Sequence, residues 1–335
     1  MYILAIESSC DDTSGAIVEN GSKVISCVTE SQRRLHNQFG GVVPEVAARG
    51  HLDSIFRVMR KTLEHANINI NKIDAVAVTF TPGLIGPLLV GVNFAKGFAL
   101  ARGIPVIGVN HIKAHVAANY IENSELTPPF LCLVVSGGHT SLIKIINYTE
   151  FILIGQTRDD AVGEVFDKIA RNLGLGYPGG AALDKLAEIG NNQKFKFTIP
   201  RLDNLDFSFS GMKTKAMQYM QNAQNFDSEA FKNDLAASVR ETIVKYLTQN
   251  LILAAGILNI KKISVAGGVA SNSYLKKKIY EMCIKKGLEF YAPSPKYCTD
   301  NAAMIGIQGY FEYINGNISD LKLNAYASGS PESKI

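Results

Sequence analysis

A chain of 335 residues, 47% hydrophobic and 19% charged, has the composition of a globular enzyme of about two domains, which excludes a disordered polymer and a lone small binding module. A formal net charge of +4 is too small to identify a nucleic-acid partner by charge alone. The five cysteines, Cys10, Cys27, Cys132, Cys283 and Cys298, are scattered without a Cys-x-x-Cys pair, which argues against a disulfide framework or zinc ribbon and for a reducing, cytoplasmic setting. The start, Met-Tyr-Ile-Leu-Ala-Ile-Glu, lacks the basic region and long apolar run of a signal peptide, and later apolar stretches are broken by Asn93 and Lys96, so neither secretion nor a membrane span is expected.

In chain order, apolar runs at 2–6, 15–18 and 24–28, separated by the small-residue turn Ser8-Ser9-Cys10-Asp11-Asp12-Thr13 and by Glu19-Asn20-Gly21, predict a three-stranded meander. Ile55, Met59 and Leu63, at i, i+4 spacing, predict an amphipathic helix. A strand over 73–80 then leads through Thr81-Pro82-Gly83 into a helix and a strand over 104–109. The pattern recurs in the second half. Runs at 130–135, 142–146 and 151–154 predict another meander, with Ser136-Gly137-Gly138-His139-Thr140 in its first turn. A helix carrying Phe231, Leu235, Val239, Ile243 and Leu247 follows, then a strand over 262–266, a turn at Gly267-Gly268, a helix, and a strand over 288–292.

This repetition predicts an α/β protein of two similar lobes, each a mixed sheet flanked by helices, with a cleft between them. Residues 1–109 form the expected N-terminal lobe and 110–299 the C-terminal lobe. The second carries a Gly-rich and polar insert at about 158–228, long enough to suggest a functional loop. A last helix, about 300–323, is expected to pack back toward the first lobe, and the tail 324–335 to fray without carrying chemistry. The arrangement is similar to the duplicated, ribonuclease H-like architecture of the actin, sugar kinase and heat-shock ATPase superfold, in which small-residue meander turns face phosphates.

His111 and His115 lie one helical turn apart behind Asn110, a natural N-cap, and this is metal-ligand spacing. Two unrelated surface histidines are the bland alternative. The corresponding helix of the second half opens at Thr299-Asp300-Asn301, and pseudo-symmetry would place the two helix starts face to face across the cleft. Asp300 would then complete a set of two imidazoles and a carboxylate suited to Fe(II) or Zn(II), although an N-cap role is equally available to it. Ser136-Gly137-Gly138, Gly179-Gly180 and Gly267-Gly268 each suit turn punctuation as well as a functional loop, and three of them in a two-lobed chain point to a nucleotide. Neither Gly-x-Gly-x-x-Gly nor Gly-x-x-x-x-Gly-Lys-Ser/Thr is present, which disfavours a dinucleotide fold and a P-loop. Basic runs at Arg33-Arg34, Lys261-Lys262, Lys276-Lys277-Lys278 and Lys285-Lys286 suit RNA phosphates or solvated helix faces.

Taken with Glu7 to Thr13, Val134 to Thr140, Gly176-Tyr177-Pro178-Gly179-Gly180, Phe207 to Thr214, Ala266 to Asn272 and Cys298-Thr299-Asp300-Asn301, the chain over residues 1 to about 310 resembles the bacterial TsaD family of tRNA adenosine threonylcarbamoyltransferases. The resemblance implies an acyltransferase that moves a threonylcarbamoyl group from threonylcarbamoyl-AMP to N6 of adenosine 37 in tRNAs reading ANN codons. It implies one divalent metal per subunit, Fe(II) or alternatively Zn(II), on His111, His115 and Asp300. It implies a substrate loop at Val134, Val135, Ser136, Gly137 and Gly138, with Asp167, Gly180, Asp184 and Asn272 on the adenylate. Expected partners are tRNA, a shorter non-catalytic paralogue of the same fold and a small P-loop ATPase, with the adenylate made by a separate synthase and no membrane involved. The general base is not identified by the family pattern; Asp11 is a candidate because its turn should face the cleft. Asp12, Asn110 and Ala302 stand where relatives commonly carry Glu, His and Gly.

Three other functions compete. A metalloprotease, an older label of this family, lacks the glutamate of His-Glu-x-x-His. An ATPase or kinase of the superfold would want an acid on the second meander turn, where His139 stands. A non-catalytic scaffold would not need His111, His115 and Asp300 together.

Overall fold

The computed structural model describes residues 1–224 and 226–332, so the end of the expected tail, 333–335, lies outside the described residues. The chain forms two compact units, one of Met1–Pro129, Ile145–Ile152 and Pro293–Ile335, the other of Phe130–Lys144 and Leu153–Ala292. Residues 110–129 and 293–299, placed by sequence in the second lobe, thus belong to the first unit. The reason is packing: Ala114 and Ala118 share a core with Ala302, Ala303 and Met304.

In the first unit β1 (Tyr2–Glu7), β2 (Asp12–Glu19), β3 (Lys23–Ser31), β4 (Ile73–Thr81) and β5 (Val106–Asn110) lie in the order β3-β2-β1-β4-β5. The meander is antiparallel, while β4 runs parallel to both β1 and β5. Side chains alternate across a strand, so Ile3 and Ala5 face one core and Leu4 and Ile6 the other. The first face is covered by Ala302, Ala303, Met304 and Ile305 of the helix Ala302–Ile314. The second meets Ile55, Val58 and Met59 of the helix Pro44–Ala66 and Leu88 and Val92 of the helix Ile85–Arg102. With each buried Leu, Ile or Val side chain worth about 1.5–3 kcal/mol, a one-residue slip of β1 would misplace both faces at once, and this fixes the register.

The tail does not fray over 324–332. Leu323 and Ala325 are buried, the Tyr326 N–H donates to Phe80 O at 2.9 Å, and Gly83 N–H donates to Ala327 O at 3.1 Å. Asn110 Nδ2 holds the Ser330 carbonyl at 3.1 Å.

In the second unit β6 (Phe130–Val135), β7 (Thr140–Ile145), β8 (Phe151–Gln156), β9 (Lys262–Ala266) and β10 (Glu289–Tyr291) take the order β10-β9-β6-β7-β8, the same topology with β6 in the place of β1. The insert is not a long loop. It contains the helices Val162–Asn172, Gly180–Ile189 and Ser210–Gln221. Its apolar residues Val162, Val165, Phe166 and Ile169 bury one helical face, and Phe207 and Phe209 pack on Tyr246 of the long helix Glu229–Leu258. Its polar residues serve as ties: the Asp159 carboxylate accepts from Phe209 N, Ser210 N and the hydroxyls of Ser208 and Ser210.

Candidate functional site

β5 ends at Asn110, whose side-chain oxygen accepts from Ile112 N at 2.9 Å and Lys113 N at 3.2 Å and so starts the helix His111–Ala117. One turn apart on that helix, His111 and His115 project from the same face, with ring centroids 4.5 Å apart. Asp300 precedes the helix Ala302–Ile314 and does not cap it; Asn301 does, its side-chain oxygen accepting from Met304 N at 3.1 Å. That leaves the Asp300 carboxylate for the histidines. Its Oδ1 lies 3.5 Å from His111 Nε2 and 3.3 Å from His115 Nε2. One ligand atom from each residue can be chosen so that all three fall within 4.8 Å of one another. All three residues belong to the first unit, so the triad is assembled inside one unit and not between two halves as pseudo-symmetry suggested.

The residues fit a metal ion. His115 Nδ1 is buried without a hydrogen-bond partner and its Nε2 has only the Asp300 carboxylate at 3.3 Å, a poorly satisfied state for a buried imidazole that a metal would relieve. His111 is oriented from behind. Glu7 Oε2 lies 3.0 Å from its Nδ1, and because a carboxylate only accepts, Nδ1 carries a proton; Nε2 is the nitrogen that faces Asp300 and would ligate a metal on giving up its own proton. Glu7 is itself fixed, accepting from Ser9 N and from Thr79 Oγ1, each at 2.5 Å. Burial opposes protonation of His111, but the carboxylates of Glu7 and Asp300 outweigh it and raise the imidazole to about 10. Burial pushes Asp300 up, yet the two histidines hold it well below the usual carboxylate range. His115 is pushed down by burial and by its cationic neighbour. Two imidazoles and one carboxylate, with the Asp300 side chain still 26% exposed, make a donor set with room for a further oxygen ligand.

Sequence reasoning gave Glu7 no role. Its one local signal is an acid closing an otherwise apolar strand. Next to the triad, with Asp300 in its wall, lies a pocket lined by Asp12, Cys27, Arg33, Lys296 and Tyr297 together with apolar residues such as Val24 and Ile25. Asp12 lines it, whereas the sequence candidate Asp11 does not.

The residues expected to contact the adenylate all lie in the second unit. Val134 and Val135 end β6, and Ser136-Gly137-Gly138 form a turn in which Ser136 N donates to His139 O at 2.8 Å and His139 N to Ser136 Oγ at 3.1 Å. Gly163 lies against that turn: a Cβ there would sit 2.6 Å from Ser136 O and 2.8 Å from Gly137 Cα. Gly267, at φ +91°, likewise leaves no room for a Cβ against Val135 O, so β6 and β9 present bare backbone where they end. Asp167 Oδ1 accepts from Gly179 N at 2.8 Å and Gly180 N at 3.1 Å, which ties those glycines to the helix Val162–Asn172. Asp184 Oδ1 accepts from Arg240 Nη1 at 2.7 Å, and that guanidinium lies over the Tyr274 ring. Asn272 caps the helix Ser273–Lys286 through Leu275 N at 2.8 Å. Several of these polar groups therefore already have structural bonds.

The architecture has counterparts among solved structures. HypF from T. kodakarensis matches with a TM-score of 0.65 at 14% identity, over 96% of this chain and 49% of that one, about half its length. The protein has the α/β fold of that group, with one five-stranded sheet in each unit. A family model described as TsaD: tRNA N6-adenosine threonylcarbamoyltransferase matches residues 23–307. Proteins of that description from Clostridium beijerinckii and from Clostridium botulinum (strain Kyoto / Type A2) are 52% and 51% identical, each over 96% of both chains. The chain belongs to the TsaD family of tRNA-modifying transferases.

Proposed function

We infer that the protein transfers the threonylcarbamoyl group of threonylcarbamoyl-AMP to N6 of adenosine 37 in tRNAs reading ANN codons, with one divalent metal, Fe(II) or alternatively Zn(II), on His111, His115 and Asp300. The observation that carries this reading is the triad itself, with His111 and His115 buried, His115 Nδ1 without a partner and His111 oriented by Glu7, in a chain of a tRNA N6-adenosine transferase family.

The donor is a mixed anhydride, so its leaving group is already good and the protein's tasks are positioning and charge stabilisation. Bound on the triad, a divalent ion supplies Lewis-acid stabilisation of negative charge on an oxygen. Glu7 keeps His111 in the tautomer that can ligate, and burial keeps water from competing. In the second unit, the backbone N–H groups around Val134 to Gly138 suit a phosphate that side chains would obstruct. Asp167, Gly180, Asp184 and Asn272 would border the nucleoside.

Leu52 and Phe56 of the helix Pro44–Ala66, with Ile85 and Leu89 of the helix Ile85–Arg102, are exposed apolar residues. They support a protein partner on the first unit, for which the shorter paralogue is our assignment, with the P-loop ATPase and the adenylate-making synthase completing the system. No described helix is long and apolar enough to cross a membrane. We place the reaction in the cytoplasm, with its tRNA.

The test is incorporation of labelled threonine into adenosine 37 of an unmodified tRNA, with the full chain, its partner proteins and enzymatically made adenylate. Incorporation that is lost in the His111→Ala, His115→Ala double variant supports the reading. A wild-type chain inactive with every partner present refutes it.

A further inference from the structure

We propose that the pocket of about 560 Å³ beside Asp300 receives the acceptor nucleotide of the RNA, with Arg33 and Lys296 on its phosphates and Asp12 taking the proton that the exocyclic amine loses. This inference rests on the transfer reaction proposed above.

The size suits one nucleotide, since small-molecule sites run to roughly 300–1,000 Å³. The lining supplies what a nucleotide asks for. Arg33, its side chain 47% exposed, and the exposed Lys296 offer cations to a phosphodiester backbone. Tyr297 brings an aromatic ring, with the Lys296 ammonium 4.4 Å from its centroid, and Thr29 and Ser31 bring hydroxyls. An enzyme acting on a base must take it out of the stack and seat it, and this pocket adjoins the proposed metal ligand.

Asp12 is the unusual member. Its side chain is 8% exposed, its Oδ1 is buried without a hydrogen-bond partner, and Arg33 approaches its Oδ2 no closer than 3.8 Å. A buried carboxylate with one oxygen unpartnered is costly, Ser31 and the distant Arg33 being its only compensation. Burial lifts it to about 6, reinforced by Asp11 and Asp300 and opposed by Ser31 and Arg33; Cys10, Cys27, Lys296 and Tyr297 complete the titratable groups around it. A carboxylate in that range can both accept and release a proton near neutrality.

The step balances. Adenine N6 attacks the carbonyl carbon of the threonylcarbamoyl group and the N–C bond forms. The C–O bond to the phosphate breaks and AMP leaves with the bonding pair. One N6 proton passes to the Asp12 carboxylate.

The experiment compares wild type, Asp12→Asn, Asp12→Glu and an Arg33→Ala, Lys296→Ala double variant, each as full chain with its partners. It reads single-turnover transfer, affinity for unmodified tRNA across salt concentrations, metal content and thermal midpoint. Asp12→Asn should lose roughly 10²-fold or more in rate at saturating tRNA, with tRNA affinity, metal content and folding retained, and Asp12→Glu should recover part of the rate. The double variant should bind tRNA more weakly, with a salt slope smaller by about 2. An Asp12→Asn rate within threefold of an active wild type would overturn the proton role and leave the transferase reading standing. Unchanged tRNA affinity and salt slope in the double variant would overturn the pocket's assignment. A wild type with no transfer at all would remove the reaction and this inference together.

Discussion

The Glu7 carboxylate and the His111 imidazole, 104 residues apart, meet at 3.0 Å in a buried hydrogen bond that fixes which histidine nitrogen faces the triad. Glu7→Gln replaces the acceptor by an amide that can also donate and frees the other tautomer. Metal affinity should fall by roughly 10–100-fold, read by competition with a chromophoric chelator, while the fold is retained. Equal affinity in the two proteins would show that the tautomer is set elsewhere.

Asp12 should make the folded state less stable than it could be. Its folded value, about 6, is above the ordinary 3.8, so the native state binds the proton more tightly than the unfolded chain. The stability linked to that proton is complete below about pH 4 and lost as pH rises through 6. Asp12→Asn, neutral throughout, should therefore be more stable than wild type at pH 7–8 by up to about 3 kcal/mol, with the gain vanishing near pH 4. Denaturant melts at both pH values decide it; a gain constant with pH would place its origin outside this carboxylate.

Gly163→Ala would drive a methyl group into the backbone of Ser136 and Gly137. Because neither neighbour is a flexible side-chain end, the turn itself must shift. We expect the affinity for a non-hydrolysable adenylate analogue to drop roughly tenfold or more by calorimetry, with metal content unaffected because the triad lies in the other unit. Undiminished binding would separate that turn from the adenylate.

Deleting 323–335 should weaken the metal site from a distance. It removes the Ser330 carbonyl held by Asn110, the residue that caps the His111–Ala117 helix, and uncovers Phe80. A lower thermal midpoint together with several-fold weaker metal binding is the expected pair of results. A truncated chain that matches wild type in both would make the tail dispensable.

Much of this was legible in the sequence because it is written locally. Strand runs such as 130–135 and 262–266 coincide with the observed strands, and the Asn110 cap with His111 and His115 needs only one helical turn to be recognised. Asp300 was reached by comparing the two halves, although its partners turned out to share its own unit. Glu7 could not be assigned, since its role exists only once β1 and the end of β5 are neighbours of β4 in the sheet. The insert was misread as loop because its helices are short and punctuated by glycines such as Gly174, Gly176 and Gly190. The tail was misread because backbone groups hold it, as between Tyr326 and Phe80, and backbone hydrogen bonds leave no signature in residue type.

The first unit is discontinuous: its sheet is complete by Asn110, but Asp300 and the helix covering one sheet face follow the whole of the second unit in the chain. On the ribosome the two histidines emerge early and wait for a carboxylate made 185 residues after the later of them, His115. The apolar face bearing Ile3, Ala5 and Ile107 stays uncovered through that interval. The triad is therefore incomplete until Asp300 has been made, and a chain released before it would carry the two imidazoles without their carboxylate.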